Sequence, residues 1–586
     1  MPRIITLLVN LVFISVAQAQ QLPQRQEQGS LILEGVPAHD AALAERLAPY
    51  LDSRNAEFLD WLSDTSLLVA TRFGETEQIH RVAAPLGMRE QLTFYSQSID
   101  TARVPQVTNA EGFVFLKEPP SESNPQLYYY RNTDRSVRLL SDGKSLNGGP
   151  VWSHDGRRLA FFSNSRGGAG YDIYVTEVAG ATAPRLVIGA QNDKWYPLDW
   201  SADDQKLLVQ RYGPGGESDL SVVDAWSGIV TPVDTGNRST TVRAARFAPD
   251  GHGLILASAS VGEFAQLRYI NPTTHEVRPL LAERNGDVTA FDTSSDGHYL
   301  AYVRNEDGHS HLSVLDNQTK AELSPPNVPD GRIGGLRFDR TGKKLAFSAE
   351  SPQTPRDAYV YDPGRNILER WTQSEIGPLP PDRFVAPEMI HYPTWDRRTQ
   401  PAFLYRPKTP GPHAVLIDLH GAQSQHQAAF EPFYQFLASE LGVAVIVASV
   451  RDDAMKDIGS LLVWTGVQPA FNRQRIFVMG DSYGGYLALT ALGAFGDRIY
   501  GGIDLIGGDK INPPFDKLAA IRRPALLVHG FNDPHAPVAQ SRQIVSVLHA
   551  KGAEVWFVAS KNDGRGIQDK AGRDACYEIM AMFLQK

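Results

Sequence analysis

The chain has 586 residues, too many for one hydrophobic core, so two large domains or several small ones are required. Hydrophobic residues make up 42% and charged residues 21%, a balance that excludes a wholly disordered chain. The net charge is -9 and the Lys and Arg residues form no run, so no nucleic-acid partner is expected.

Residues 1–19 combine Arg3, an apolar stretch and Ala17-Gln18-Ala19, the small-x-small pattern of a cleavable secretory signal. This predicts a periplasmic or secreted protein that starts near Gln20 and is free of the membrane after cleavage. An uncleaved anchor is the alternative, but the apolar stretch is short for a bilayer span. The single cysteine, Cys576, allows no intrachain disulfide, which suits a bacterial periplasm. Residues 20–55 form an N-terminal segment outside the repeats that follow.

Residues 56–375 repeat a pattern at a spacing of roughly 40 to 50 residues. Each copy has an aromatic, a small polar residue, an Asp-Gly-type turn and an apolar strand. The clearest are Val151-Trp-Ser-His-Asp-Gly-Arg-Arg-Leu-Ala-Phe-Phe162, Arg246-Phe-Ala-Pro-Asp-Gly-His-Gly-Leu-Ile-Leu256, Phe291-Asp-Thr-Ser-Ser-Asp-Gly-His-Tyr-Leu-Ala-Tyr302 and Leu336-Arg-Phe-Asp-Arg-Thr-Gly-Lys-Lys-Leu-Ala-Phe347. Asp-Gly favours a tight hairpin, and a further strand such as Tyr171-Asp-Ile-Tyr-Val175 follows most copies. Weaker copies near Phe58, Val114 and Trp200 bring the expectation to a β-propeller of about seven blades, with an unrepeated β-sandwich as the alternative.

After Trp371 the repeat stops at a proline-rich linker, Pro378-Leu-Pro-Pro-Asp382. Across residues 376–586 strand-like and helix-like runs alternate: strands at 414–418, 444–447, 476–479, 525–530 and 554–558, helices near 431–440 and 458–464. That alternation specifies a mainly parallel sheet with helices on both faces, an α/β domain.

Its most informative stretch is Gly480-Asp-Ser-Tyr-Gly-Gly485, directly after the strand-like Arg475-Ile-Phe-Val-Met479 and before an apolar helix-like run. This is a nucleophile elbow: the strand-to-helix turn is so tight that side chains at Gly480 and Gly484 would clash, and Ser482 is held strained and exposed. In an α/β-hydrolase the groups follow in the order Ser, Asp, His. Asp533, after the strand 525–530, stands where the orienting acid belongs. The loop after the last strand, where the base belongs, reads Asn562-Asp-Gly-Arg-Gly566 and places Arg565 there. A guanidinium cannot accept the serine proton near neutral pH. Two histidines lie downstream of Asp533, His535 and His549, and neither stands where the order puts the base; Lys561 would serve as a substitute base only if burial lowered its pKa. The backbone N–H of Tyr483 and a donor from the loop of His420, Gly421, Ala422 and Gln423 are expected to form the oxyanion hole. No Cys/His cluster has metal-ligand spacing, and neither a metal nor a cofactor is expected.

A propeller followed by a hydrolase domain with this elbow resembles the prolyl oligopeptidase family of serine peptidases. Asp457-Ile-Gly-Ser-Leu-Leu-Val-Trp464 resembles the helix before the nucleophile strand, and the stretch from Val528 to Pro537 resembles the acid loop. The resemblance implies hydrolysis of short peptides through an acyl-enzyme on Ser482. The chain departs from the family at three places: Gly564-Arg565-Gly566 for Gly-His-Gly, His420-Gly421-Ala422-Gln423 for His-Gly-Gly-Pro, and a shortened segment at 450–454. These departures leave a pseudopeptidase that binds peptides or a protein partner as the alternative, with an esterase as a further one. Arg565 also fits a sequencing error or a recent mutation. With no adjacent glutamate pair in the propeller, dipeptidyl specificity is unsupported.

Overall fold

The structure, a computed structural model, describes residues 25–119, 124–180, 182–213, 218–235, 242–259, 264–421, 428–451, 453–505, 518–533, 536–564, 566, 567 and 569–586. The signal-like residues 1–19 lie outside them.

The repeats form seven four-stranded antiparallel sheets, a seven-bladed β-propeller running from Ala56 to Arg370. In each clear copy the Asp-Gly-type turn joins the first two strands of a blade, with Gly156, Gly251, Gly297 and Gly342 at φ between 68° and 71°, a conformation costly for other residues. The recurring aromatic and acidic positions of the repeat tie neighbouring blades together. The indole N–H groups of Trp152 and Trp200 donate to Arg103 O (2.9 Å) and Val151 O (3.0 Å), one blade back. Asp60, Asp199 and Asp292 accept from Val104, Phe247 and Phe338 N, one blade forward.

Blade 1 (56–91) and blade 7 (333–370) are each built from continuous chain, so the ring closes without a shared strand. Side chains close it instead. Trp61 Nε1 donates to Arg337 O (3.0 Å), Phe58 N donates to Ser348 Oγ (2.7 Å), and Arg337 pairs with Asp60 (3.2 Å). Phe58, Trp61, Val69, Ala346, Val360 and Trp371 bury the seam.

The second domain is a ten-stranded sheet whose strands are β1 (Arg25–Gln28), β2 (Leu31–Glu34), β3 (Glu388–Pro393), β4 (Thr399–Tyr405), β5 (His413–Gly421), β6 (Val443–Val450), β7 (Phe471–Asp481), β8 (Gly501–Leu505), β9 (Ala525–Gly530) and β10 (Val555–Ser560). Their order is β1-β2-β10-β9-β8-β7-β5-β6-β4-β3, parallel from β10 to β6 and antiparallel at both edges. The apolar runs read from the sequence are the central strands, which are buried on both faces as parallel strands require. Helices α1 (Ala41–Leu51), α2 (Pro432–Glu440), α3 (Ala454–Val467), α4 (Tyr483–Ala494), α5 (Val538–Ala550) and α6 (Lys570–Leu584) cover it.

The N-terminal segment set apart by sequence belongs physically to this sheet. Its β2 pairs with β10 (Leu31↔Ser560 to Glu34↔Phe557), and Leu43, Leu47 and Tyr50 of α1 join the core beneath α2 and α6. The chain therefore crosses from the hydrolase sheet into the propeller and back.

One propeller face meets the second domain, through the loops between the second and third strands of several blades. Ala428 N donates to Gly308 O (2.9 Å), Gln435 Nε2 to Pro352 O (2.9 Å) and Lys570 N to Glu75 O (3.1 Å). Since Trp61 is a principal closure of the ring, Trp61→Phe, which removes only the indole donor and some area, is expected to lower propeller stability by about 1–3 kcal/mol in urea unfolding.

Candidate functional site

Strand β7 ends in the elbow, and α4 begins one residue after Ser482. Ser482 has φ 55° and ψ -117°, outside the regions open to ordinary L-residues. Backbone contacts hold it there: Ser482 N donates to Leu505 O at the end of β8 (3.0 Å), and Tyr486 N donates to Ser482 O (3.2 Å). The glycines are needed for the reason the sequence suggested. A Cβ at Gly480 would lie 2.3 Å from Gly484 C, one at Gly484 would lie 2.1 Å from Leu419 O, and one at Gly485 would lie 2.0 Å from Asp504 Oδ1. Helix α4 thus starts in backbone contact with β5. Ser482 Oγ donates to Asp481 Oδ1 at 3.0 Å.

Strand β5 delivers His420 and Gly421 beside this turn. A Cβ on Gly421 would sit 2.9 Å from the Tyr483 ring, so the two stretches named for an oxyanion hole do come together. Tyr483 is 43% exposed and its ring stacks on Tyr486. His420 Nε2 lies 2.9 Å from the buried Asp418 Oδ2, which also accepts from the Tyr434 hydroxyl. Burial opposes the charged imidazole, but the hydrogen bond and charge of Asp418 outweigh it and raise the His420 pKa above the ordinary value. Ala422 and Gln423 lie outside the described residues.

Where this loop resumes, the propeller holds it. Glu350, from blade 7, accepts from Phe430 N (3.3 Å) and is itself bound by Arg332 Nε (2.5 Å) and Arg356 Nη2 (2.9 Å). The next residue, Glu431, is desolvated and sits near the charge of Glu350, which pushes its pKa up to about 7. These acids went unnoticed in the sequence because they are far apart in it.

Asp533 follows β9 and is buried, with Oδ1 accepting from Ala536 N (3.1 Å). Its loop is clamped to the one after β10: Asn532 N donates to Asp563 O (3.0 Å), Ser560 Oγ donates to Asp563 Oδ2 (2.5 Å), and a Cβ on Gly530 would strike Gly564 O at 1.9 Å. The loops that follow β9 and β10 are therefore packed backbone to backbone. Arg565 and His535 themselves lie outside the described residues.

Of the other candidate bases, Lys561 is engaged elsewhere and His549 lies on a helix. Lys561 Nζ pairs with Glu27 of β1 (3.0 Å), across the sheet edge, and His549 closes the last turn of α5. The shortened segment at 450–454 has become an ion network, with Arg451 held by Asp396 (2.8 Å) and Asp457 (2.6 Å).

A cavity of about 860 Å³ opens between blade 2, with the connection leading into it, and the 562–575 region, lined by Asp100, Lys117 and Glu118 from the propeller and Asn532, Asp563 and Gly564 from the second domain. It reaches the loop that follows β10. Because Gly484 has backbone on the far side of its missing Cβ, Gly484→Ala is expected to destabilise the second domain by about 3 kcal/mol, read as a lowered denaturation midpoint.

No protein-family model matches the chain. Dipeptidyl aminopeptidase BIII of Pseudoxanthomonas mexicana is 27% identical over 351 residues, covering 48% of this chain and 50% of that protein. The chain thus spans about half the length of this curated relative. Among solved structures, one from a study of two prolyl endopeptidases superposes with a TM-score of 0.79 at 14% identity, over 94% of this chain and 91% of the other. The crystal structure of puromycin hydrolase superposes with a TM-score of 0.77 at 16% identity, over 93% and 95%. The fold of this chain is that of the prolyl oligopeptidases, a seven-bladed propeller joined to an α/β-hydrolase domain.

Proposed function

We propose that the chain is an exported serine hydrolase of the prolyl oligopeptidase family, cleaving short peptides through an acyl-enzyme on Ser482. The observation that carries this reading is the Ser482 backbone. A residue at φ 55° and ψ -117° costs on the order of 1–3 kcal/mol, and three glycines with no room for a Cβ maintain it. Such strain aims Oγ at the mouth of the sheet, where a carbonyl carbon can reach it.

In this reading the substrate carbonyl lies against Ser482, and its developing oxyanion takes the N–H of Tyr483 and a donor from the loop that starts at His420 and Gly421. Asp533 is the acid of the constellation and Arg565 occupies the place of the base. The propeller limits access to the cleft, which suits short peptides; the names of the relatives, a dipeptidyl aminopeptidase and a puromycin hydrolase, support that substrate class. Export rests on the signal-like first 19 residues.

A second reading is a pseudopeptidase that holds peptides without turning them over, and the identity of residue 565 favours it. Arginine at that position costs turnover heavily, since removing a triad member lowers it by roughly 10⁴ to 10⁶.

One comparison separates them. The purified protein, Ser482→Ala and Arg565→His are assayed with ester and short-peptide substrates and labelled with a fluorophosphonate. The peptidase reading expects labelling at Ser482, turnover above the Ser482→Ala blank, and a rise on the order of 10² to 10⁴ for Arg565→His. Turnover and labelling indistinguishable from the blank, with thermal stabilisation by peptides, would establish the binder.

A further inference from the structure

The Ser482 hydroxyl meets a carboxylate: Oγ donates to Asp481 Oδ1 at 3.0 Å. We propose that Asp481 is the proton acceptor for Ser482, so that the site works as a serine–carboxylate pair in place of a serine–histidine pair. The proposal rests on the reading of Ser482 as an acyl-forming nucleophile.

Geometry is the first requirement of a base, and Asp481 meets it at the ground state without a change of rotamer. The side chain is exposed at the end of β7, on the solvent side of the elbow, where a scissile carbonyl approaches. The second requirement is a setting that keeps one carboxylate ionised and basic. Asp504, at the end of the adjoining β8, is 1% exposed and packs against the first turn of α4, and its Oδ1 has no hydrogen-bond partner. Burial, with the charge of Asp481 added, pushes the Asp504 pKa up to about 7. A buried carboxyl with a raised pKa thus stands behind the exposed Asp481 carboxyl, two acids in different surroundings. Asp481 is faced by Asp504 from β8 and by His420 from β5, whose imidazole feels its charge and is already paired with Asp418.

The step balances with these groups alone. The Ser482 proton passes to the Asp481 carboxylate as Oγ bonds to the carbonyl carbon and the C=O electron pair moves to oxygen. Re-formation of C=O breaks the C–N bond, and the Asp481 carboxylic acid returns its proton to the leaving amine. In deacylation a water gives its proton to Asp481 and its oxygen to the acyl carbon. Collapse then expels Ser482 Oγ, which takes the proton back.

The test uses the full-length protein and a short-peptide ester. Asp481→Asn, which keeps shape and removes the basic oxygen, is expected to lower kcat by roughly 10² to 10⁴ with KM changed less than about threefold. Asp481→Glu is expected to retain activity within about tenfold. The acid limb of kcat against pH should fall in the carboxylate range, below about pH 6, where an imidazole base would put it near 6.5 to 7. Thermal midpoints report folding, and if Asp481→Asn fails to fold, the pH limbs of the natural protein and Asp481→Glu decide. Full kcat in Asp481→Asn, with the natural protein above the Ser482→Ala blank, overturns the role of Asp481 alone. A limb near 7 does the same. A natural protein equal to the blank overturns the acyl-enzyme reading and this proposal together.

Discussion

The second domain depends on one close approach, that of the α4 N-terminus to the ends of three strands. Gly480, Gly484 and Gly485 have no space for a Cβ because Gly484 backbone, the Leu419 carbonyl and the Asp504 carboxyl already occupy it. The contact fixes β5, β7 and β8 relative to one another. It brings the His420–Gly421 stretch to Tyr483 and leaves Ser482 no unstrained conformation. The strain is maintained by packing around it, since each neighbouring strand is buried on both faces and cannot yield.

The same logic extends across the domain junction. On one side, Glu350 of blade 7 reaches the backbone of Phe430 and is neutralised by Arg332 and Arg356, while Gln435 bonds to Pro352 and Val385. A buried carboxylate needs such partners to be tolerated. On the other side the domains stand apart around the cavity beside Asp563 and Gly564. The chain itself reinforces the arrangement, because β1, β2 and α1 are laid into the hydrolase sheet before the propeller is built.

Carboxyl groups gather around Ser482. Asp481, Asp504 and Asp418 all end up within the reach of the elbow and its neighbouring strand, with His420 among them. Burial, with the charge of Asp481 added, pushes the Asp504 pKa up, while Asp418 is paired with His420.

Much of this was legible in the sequence. The Asp-Gly turns and the strands after them specify blades, because hairpin geometry and alternating burial are local properties, and the elbow is legible because only glycine fits where backbones touch. The order of Ser482 and Asp533 along the chain placed both on sheet-edge loops. Three things were decided only by the tertiary structure. Residues 25–51 joined the hydrolase sheet, since pairing of β2 with β10 links positions more than 500 residues apart and leaves no local signature. Glu350 came to lie beside Phe430 and Glu431 for the same reason. Finally, the bond of Asp481 to Ser482 and the buried carboxyl of Asp504 behind it depend on how β7, β8 and α4 pack. Local sequence sets turns and strand faces, whereas charge coupling between strands follows from distances that only folding creates.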